Sequence, residues 1–316
     1  MVPHAAPNRR AGVLLCAMLM GPAGCAPPQL AALRDGSTAG LPARVELDRV
    51  PFFPQDEYQC GPAALATALV HAGIATTPEA LAAQVYLPAR EGSLQPEMLA
   101  AARRHGRVAY RLAPRLEDVL LEVADGAPVI VLQNLALGFA PLWHYAVVVG
   151  YDLPREEIIL RSGTTRRAVM TLATFERTWA RGGHWAMLAP GPEHLPATAI
   201  EGPYVAAVVA LERVAPVAAR RAYTTALARW PGSLSARIGQ GNAAYALRDL
   251  PGAEAAYREA TRLHPRSADA WNNLAQTLLE RRQLDEALAA AQRAISIGGP
   301  RLSRYQATHR AIAETR

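Results

Sequence analysis

The sequence contains no lysine. All 33 basic residues are arginine, spread among 27 acidic ones for a net charge of +6. They form no block of one sign, so they read as a solvated surface and nucleic-acid binding is not expected. Metal-ligand spacings, phosphate-cradling glycine loops and cofactor fingerprints are missing as well, so neither metal nor cofactor is expected. The N-terminal apolar core "AGVLLCAMLMGPAG" (11–24) is too short to span a bilayer, which takes about 20 apolar residues. Cysteine is rare, with three in 316 residues, and the chain length suggests roughly two domains.

Arg9 and Arg10 precede the apolar core, and the small residues Ala23 and Gly24 stand immediately before Cys25. This pattern resembles a bacterial lipoprotein signal, in which the cysteine is lipidated and becomes the new N-terminus. The resemblance implies a signal peptide over 1–24, lipidation at Cys25, and an exported protein held to a cell-envelope membrane, facing the periplasm or exterior. Pro22 stands where an aliphatic residue is usual, which keeps ordinary secretion with nearby cleavage open. Cys16 would be lost with the signal and Cys25 used for the lipid. Cys60 would then stand alone in oxidising surroundings, with no partner for an internal disulfide.

Residues 25–48 carry prolines and glycines with little periodicity and read as a tether. From 49 to 190 helices come first. "CGPAALATALVHAG" suits a buried helix, "TPEALAAQV" opens on a Thr77 cap with Pro78 behind it, and "SLQPEMLAAARRHG" and "LEDVLLEVADG" follow. Strand signals come after, in "PVIVLQN", "WHYAVVVGY", "EEIILRS", "RAVMTL" and "HWAMLAP". This order predicts an α+β domain with a largely antiparallel sheet. The proline-rich stretch around 191–200 reads as a linker. Beyond it, Ala219, Tyr223, Ala226 and Pro231 recur 34 residues later as Ala253, Tyr257, Ala260 and Pro265, and again as Ala287, Ala291 and Ala294 before Gly299-Pro300. Gly241 and Ala275 hold the small-residue position of the first helix, and Trp271 opens the third unit. The period resembles tetratricopeptide repeats over 201–300, an all-α array of helical hairpins that implies a protein partner. Residues 301–316 read as a tail.

Cys60 begins "CGPAAL". A helix N-terminus favours thiolate, and Pro62 suits a first turn because it lacks the N–H that would go unpaired there. The same cysteine could equally pack as a small hydrophobe. Nucleophilic use needs a histidine base from elsewhere in the fold. His144 starts the apolar strand "HYAVVVGYD" after a glycine-containing loop, a position typical of site residues. His184, near the last strand, is a further candidate.

"PQDEYQCGPAAL", "GSLQPEMLAAARRHG", "PVIVLQN" and "HYAVVVGYD", in that order, resemble the bacteriocin-processing (double-glycine leader) class of papain-like cysteine peptidases over residues 50–190. The resemblance implies a papain-like domain at 49–190 with Cys60 as nucleophile and His144 as general base and acid. It also implies an oxyanion-hole amide from an upstream glutamine, which Gln55 matches. That family orients its histidine with an aspartate on the next strand, and here the sequence departs. A turn centred on Leu153-Pro154 places residue 144 opposite Ser162 or Gly163, neither of them a carboxylate. Asp152 lies eight residues along the strand, roughly 26 Å away. Ser162 is left as an uncharged orienter, accepting the Nδ1 proton of His144.

The sequence therefore predicts an exported, lipid-anchored cysteine peptidase that hydrolyses a peptide bond in a peptide or protein substrate, with repeats recruiting a protein. A catalytically weak or inactive peptidase fold serving as a peptide-binding scaffold is the alternative, and a transferase or amidase using the same Cys–His pair stays open. The transporter peptidases' leader substrate does not carry over, because the chain lacks their membrane spans and nucleotide-binding motifs.

Overall fold

The computed structural model describes residues 27–37, 40–54 and 59–315. A short helix α1 (Pro28–Ala32) and strand β1 (Arg44–Glu46) lead into helices α2 (Cys60–His71) and α3 (Pro78–Val85). A small hairpin of β2 (Tyr86–Leu87) and β3 (Gly92–Ser93) precedes α4 (Gln95–Arg104), β4 (Tyr110–Arg111) and α5 (Leu116–Ala124). Strands β5 (Val129–Asn134), β6 (Trp143–Asp152), β7 (Glu157–Ser162) and β8 (Thr165–Thr171) follow, then α6 (Leu172–Arg181) and β9 (Ala186–Leu188). The main sheet runs β4-β9-β5-β6-β7-β8, antiparallel throughout, with β1 paired to the far end of β6. Helices before strands, on an antiparallel sheet, is the architecture read from the sequence.

Strand alternation divides the core. Ile130, Leu132, Tyr145, Val147 and Val149 pack toward α2, α3 and α4. Val129, Val131, Ala146 and Val148 face the other way, with Leu116 and Val119 of α5 and Phe175 and Trp179 of α6. Both faces of β5 and β6 are covered, so these strands read as near-continuous apolar runs.

Helix α6 escaped the sequence reading, which passed from one strand signal to the next. Its markers are present: the Thr171 side chain caps the Thr174 N–H, and Leu172, Phe175 and Trp179 fall on one face.

The segment expected as a tether is anchored at several points from Pro27 onward. Leu30 and Leu33 are 2% and 5% exposed. The backbone N–H groups of Gln29 and Leu30 donate to the two oxygens of Glu176, each at 2.9 Å. A buried carboxylate needs donors and a helix N-terminus has spare ones, so each satisfies the other. Arg44 of β1 pairs with Asp152.

The expected linker at 191–200 is likewise held. Fully buried Glu122 accepts the N–H groups of Ala197 and Thr198 and the Thr198 hydroxyl, at 3.2, 2.8 and 2.6 Å. The helical region follows directly, with α7 (Glu201–Glu212), α8 (Pro216–Arg229), α9 (Leu234–Ala246), α10 (Leu250–Leu263), α11 (Ala268–Glu280), α12 (Leu284–Ile297) and α13 (Leu302–Thr315). Starts at Pro216, Leu250 and Leu284, and at Leu234, Ala268 and Leu302, keep the 34-residue period. Pro216 opens α8 at its first turn, where a missing N–H costs nothing. A Cβ at Gly241 would lie 2.4 Å from the Tyr257 ring, so the hairpin can close only around glycine there. The expected tail is in fact helix α13, which buries Tyr305 and Ile312. A stacked array leaves an apolar face on its last hairpin, and α13 covers it.

The junction is continuous apolar packing. Tyr204 of α7 lies 6.1 Å from Tyr110 of β4, ring centre to ring centre, within one cluster running from the sheet to α9. Replacing Glu122 with alanine removes the acceptor for three donors around residues 197–198. We expect a loss of roughly 1–3 kcal/mol, read as a lower urea midpoint. An unchanged midpoint would show that the clamp does not stabilise the junction.

Candidate active site

Helix α2 is buried continuously from Gly61 to Leu69. Its small side chains allow close approach from every side, and its first turn presents Cys60 to a cleft of about 1010 Å³. A Cβ on Gly61 would meet the Ser93 hydroxyl at 2.3 Å, so glycine after the cysteine lets β3 close over the helix start. Cys60 is half-buried and has a free thiol. Its sulfur is faced by the backbone N–H groups of Tyr145, Gly61 and Cys60 itself. The Tyr145 N–H places the thiol one residue along β6 from His144, and both line the cleft.

His144 Nε2 lies 2.8 Å from Ser162 Oγ. The sequence reading assigned this contact to Nδ1; the ring meets Ser162 through Nε2, which leaves Nδ1 as the second proton-exchanging nitrogen. The register explains the meeting. Val147 pairs with Arg161 and Val148 with Leu160, after an irregularity near Val149 shifts the pairing set by the 153–156 turn. β7 ends at Ser162, where the chain turns into β8, so the serine reaches diagonally toward the start of β6. Asp152 sits at the opposite end of the unbroken ten-residue strand, paired with Arg44 and Arg155.

Burial governs the resting charges. The Cys60 thiol is pushed up, desolvation outweighing the three N–H groups that favour thiolate. His144 is pushed down by burial, which disfavours imidazolium. The helix start was expected to yield an activated thiolate; the balance here favours a neutral thiol beside a neutral imidazole. A serine orienter fits that pair, since it supplies a hydrogen bond and no counter-charge.

Gln55 and Cys25 lie outside the described residues. His184 packs edge-on against Trp179 at 4.7 Å, which is a structural role. The sequence reading missed Ser93, Tyr145 and Arg181. Arg181 lines the cleft and donates twice to the Asn134 carbonyl, at 3.1 and 3.0 Å. The Tyr145 phenol is raised, chiefly by burial. Arg181 was hidden because its helix was not recognised, and Ser93 because a two-residue strand leaves no periodic signal. Among the described residues no group of histidine, cysteine and carboxylate side chains could hold a metal.

Residues 47–187 match the Peptidase_C39 like family, and residues 206–265 and 238–301 match the tetratricopeptide repeat. Among solved structures the chain is similar to a C39-like peptidase from Bacillus anthracis, at 22% identity and a TM-score of 0.39, over 46% of this chain and 96% of that one. It is also similar to MamA at 22% identity and a TM-score of 0.32, over 35% of this chain and 67% of that one. No curated protein matches.

The neutral resting pair predicts a pH profile. The thiolate fraction of Cys60 should rise only above the ordinary thiol value of about 8.5, so iodoacetamide alkylation should show its inflection there or higher. An inflection below about pH 8 would mean that imidazolium forms at rest and burial does not decide the charge state.

Proposed function

Since a C39-like peptidase domain is joined here to tetratricopeptide repeats, we propose that the chain is a cysteine peptidase hydrolysing a peptide bond in a protein brought to it by the repeats. The observation that carries this reading is Cys60 at a helix mouth sharing a cleft with a histidine already oriented by Ser162. Cys60 Sγ attacks the scissile carbonyl carbon while Nδ1 of His144 accepts the thiol proton. Backbone N–H groups at the α2 start, with the Gln55 amide, hold the oxyanion. His144 then returns the proton to the leaving amine, and water hydrolyses the thioester with His144 again as base. General-base removal of the thiol proton in step with attack suits a thiol that rests protonated. A thiol-directed activity probe should label wild type and fail on both Cys60→Ala and His144→Ala; equal labelling of wild type and His144→Ala would remove the histidine from the mechanism.

The uncharged Ser162 favours a second reading, a slow or inactive peptidase fold that holds peptides. Ser162→Ala should lower kcat by up to about tenfold, the worth of one hydrogen bond. Ser162→Asp should preserve or raise it, because a carboxylate stabilises imidazolium. Wild type that cleaves nothing, with Cys60→Ala binding the same partners equally well, decides for the scaffold.

Export and a lipid on Cys25 complete the proposal, supported by the arginine–apolar–small–cysteine order at residues 9–25. No helix among the described residues is long and apolar enough to cross a membrane. Cys25→Ser should move the protein from the washed membrane fraction to the soluble one. Retention of the variant after washing would argue against the lipid as the main anchor.

A further inference from the structure

The hairpin joining β5 to β6 carries a concentration of apolar side chains that the catalytic reading does not use. Residues 135–143 contain no charged side chain. Phe139 is 86% exposed and Leu137 60%, with Leu142 and Trp143 also exposed at the base. The base is well built. Asn134 Oδ1 accepts the N–H groups of Ala136 and Leu142 at 3.1 and 2.9 Å, and the Leu135 N–H donates to the Leu142 carbonyl at 2.9 Å. A framework this ordered holds hydrophobic tips in solvent, which soluble surfaces avoid unless something covers them.

The fold indicates the covering surface. Helix α5 leads back to the start of β5, so its first residue, Leu116, is the end of that helix nearer the hairpin. Gln29 is fixed there, donating to the Pro114 carbonyl at 3.1 Å and accepting from the Leu116 N–H. Pro27 is buried, and Cys25 precedes it by two residues, a span of at most about 7 Å. The segment runs from Gln29, beside the start of α5, to Arg34, which pairs with Glu156 at the turn opposite the hairpin, so a lipid on Cys25 would join it at the end nearer Leu137 and Phe139. These two tip residues lie outside the cleft walls, which Leu135, Leu142 and Trp143 help to form.

We propose that the 135–143 hairpin seats in the surface of a phospholipid bilayer, with Leu137 and Phe139 entering the acyl region and Trp143 at the headgroup level. The catalytic cleft then opens at the membrane surface, and its substrates are peptide segments lying on or close to it. The common direction of lipid and hairpin rests on the reading of Cys25 as lipidated; insertion of the hairpin does not.

The test uses the full chain carrying Cys25→Ser, which cannot be lipidated, in flotation with phosphatidylethanolamine–phosphatidylglycerol vesicles. That protein should float, and adding Leu137→Ser and Phe139→Ser should weaken its partitioning by at least about tenfold, as expected for two apolar side chains withdrawn from lipid. Probe labelling of Cys60 should not change, since neither tip residue lines the cleft. Absence of flotation, or equal flotation of both proteins, overturns the proposal whatever is found for the lipid. So does a tip variant that floats normally but shows a raised KM for apolar peptides, which would make the hairpin a substrate platform.

Discussion

Strand β6 is the constraint on which the rest of the molecule depends. Its ten residues pair with β5 and β1 along one edge and β7 along the other. Its alternate side chains supply both halves of the peptidase-domain core. Its first turn of pleat supplies the imidazole from one residue and, from the next, an N–H aimed at the thiol. Because a slip of one residue would reverse every side chain, the pairing of β6 with β5 and β7 also fixes which way His144 faces. Core packing and catalytic geometry are thus set by the same register.

The second organising feature is the absence of slack between the two domains. Glu122 clamps the chain at 197–198, Tyr110 and Tyr204 meet across the boundary, and apolar packing continues to α9. The repeats pack directly onto the peptidase-like region through this junction.

Much of this was legible in the sequence because it rests on periodicity. Four helices, five strands and the 34-residue repeat leave patterns long enough to read. Pairing arithmetic brought Ser162 near His144 but not to its true register: the turn spans 153–156 and Val147 pairs with Arg161, so the serine meets the imidazole diagonally and not from the opposite position. What the sequence hid is of a different kind. Leu30 and Leu33 sit in a proline- and glycine-containing stretch whose burial depends on a distant carboxylate, Glu176. Helix α6 is interrupted by polar residues and follows a strand without a break. The choice of Nε2 at His144 and the protonated state of Cys60 are set by desolvation, which belongs to the folded environment and to no local motif.

The protonated state also bears on redox durability. Peroxides and disulfides react with thiolate, and the reaction slows as the thiolate fraction falls. A lone cysteine at a helix mouth would ordinarily be among the first groups in a chain to be lost to sulfenic acid or to a mixed disulfide. Burial raises the Cys60 thiol, and no second cysteine lies among the described residues, so its surroundings favour the less oxidisable protonated form. Under the proposed mechanism the thiol would become a strong nucleophile only while His144 takes its proton, so the environment that slows its resting chemistry would also preserve it between turnovers.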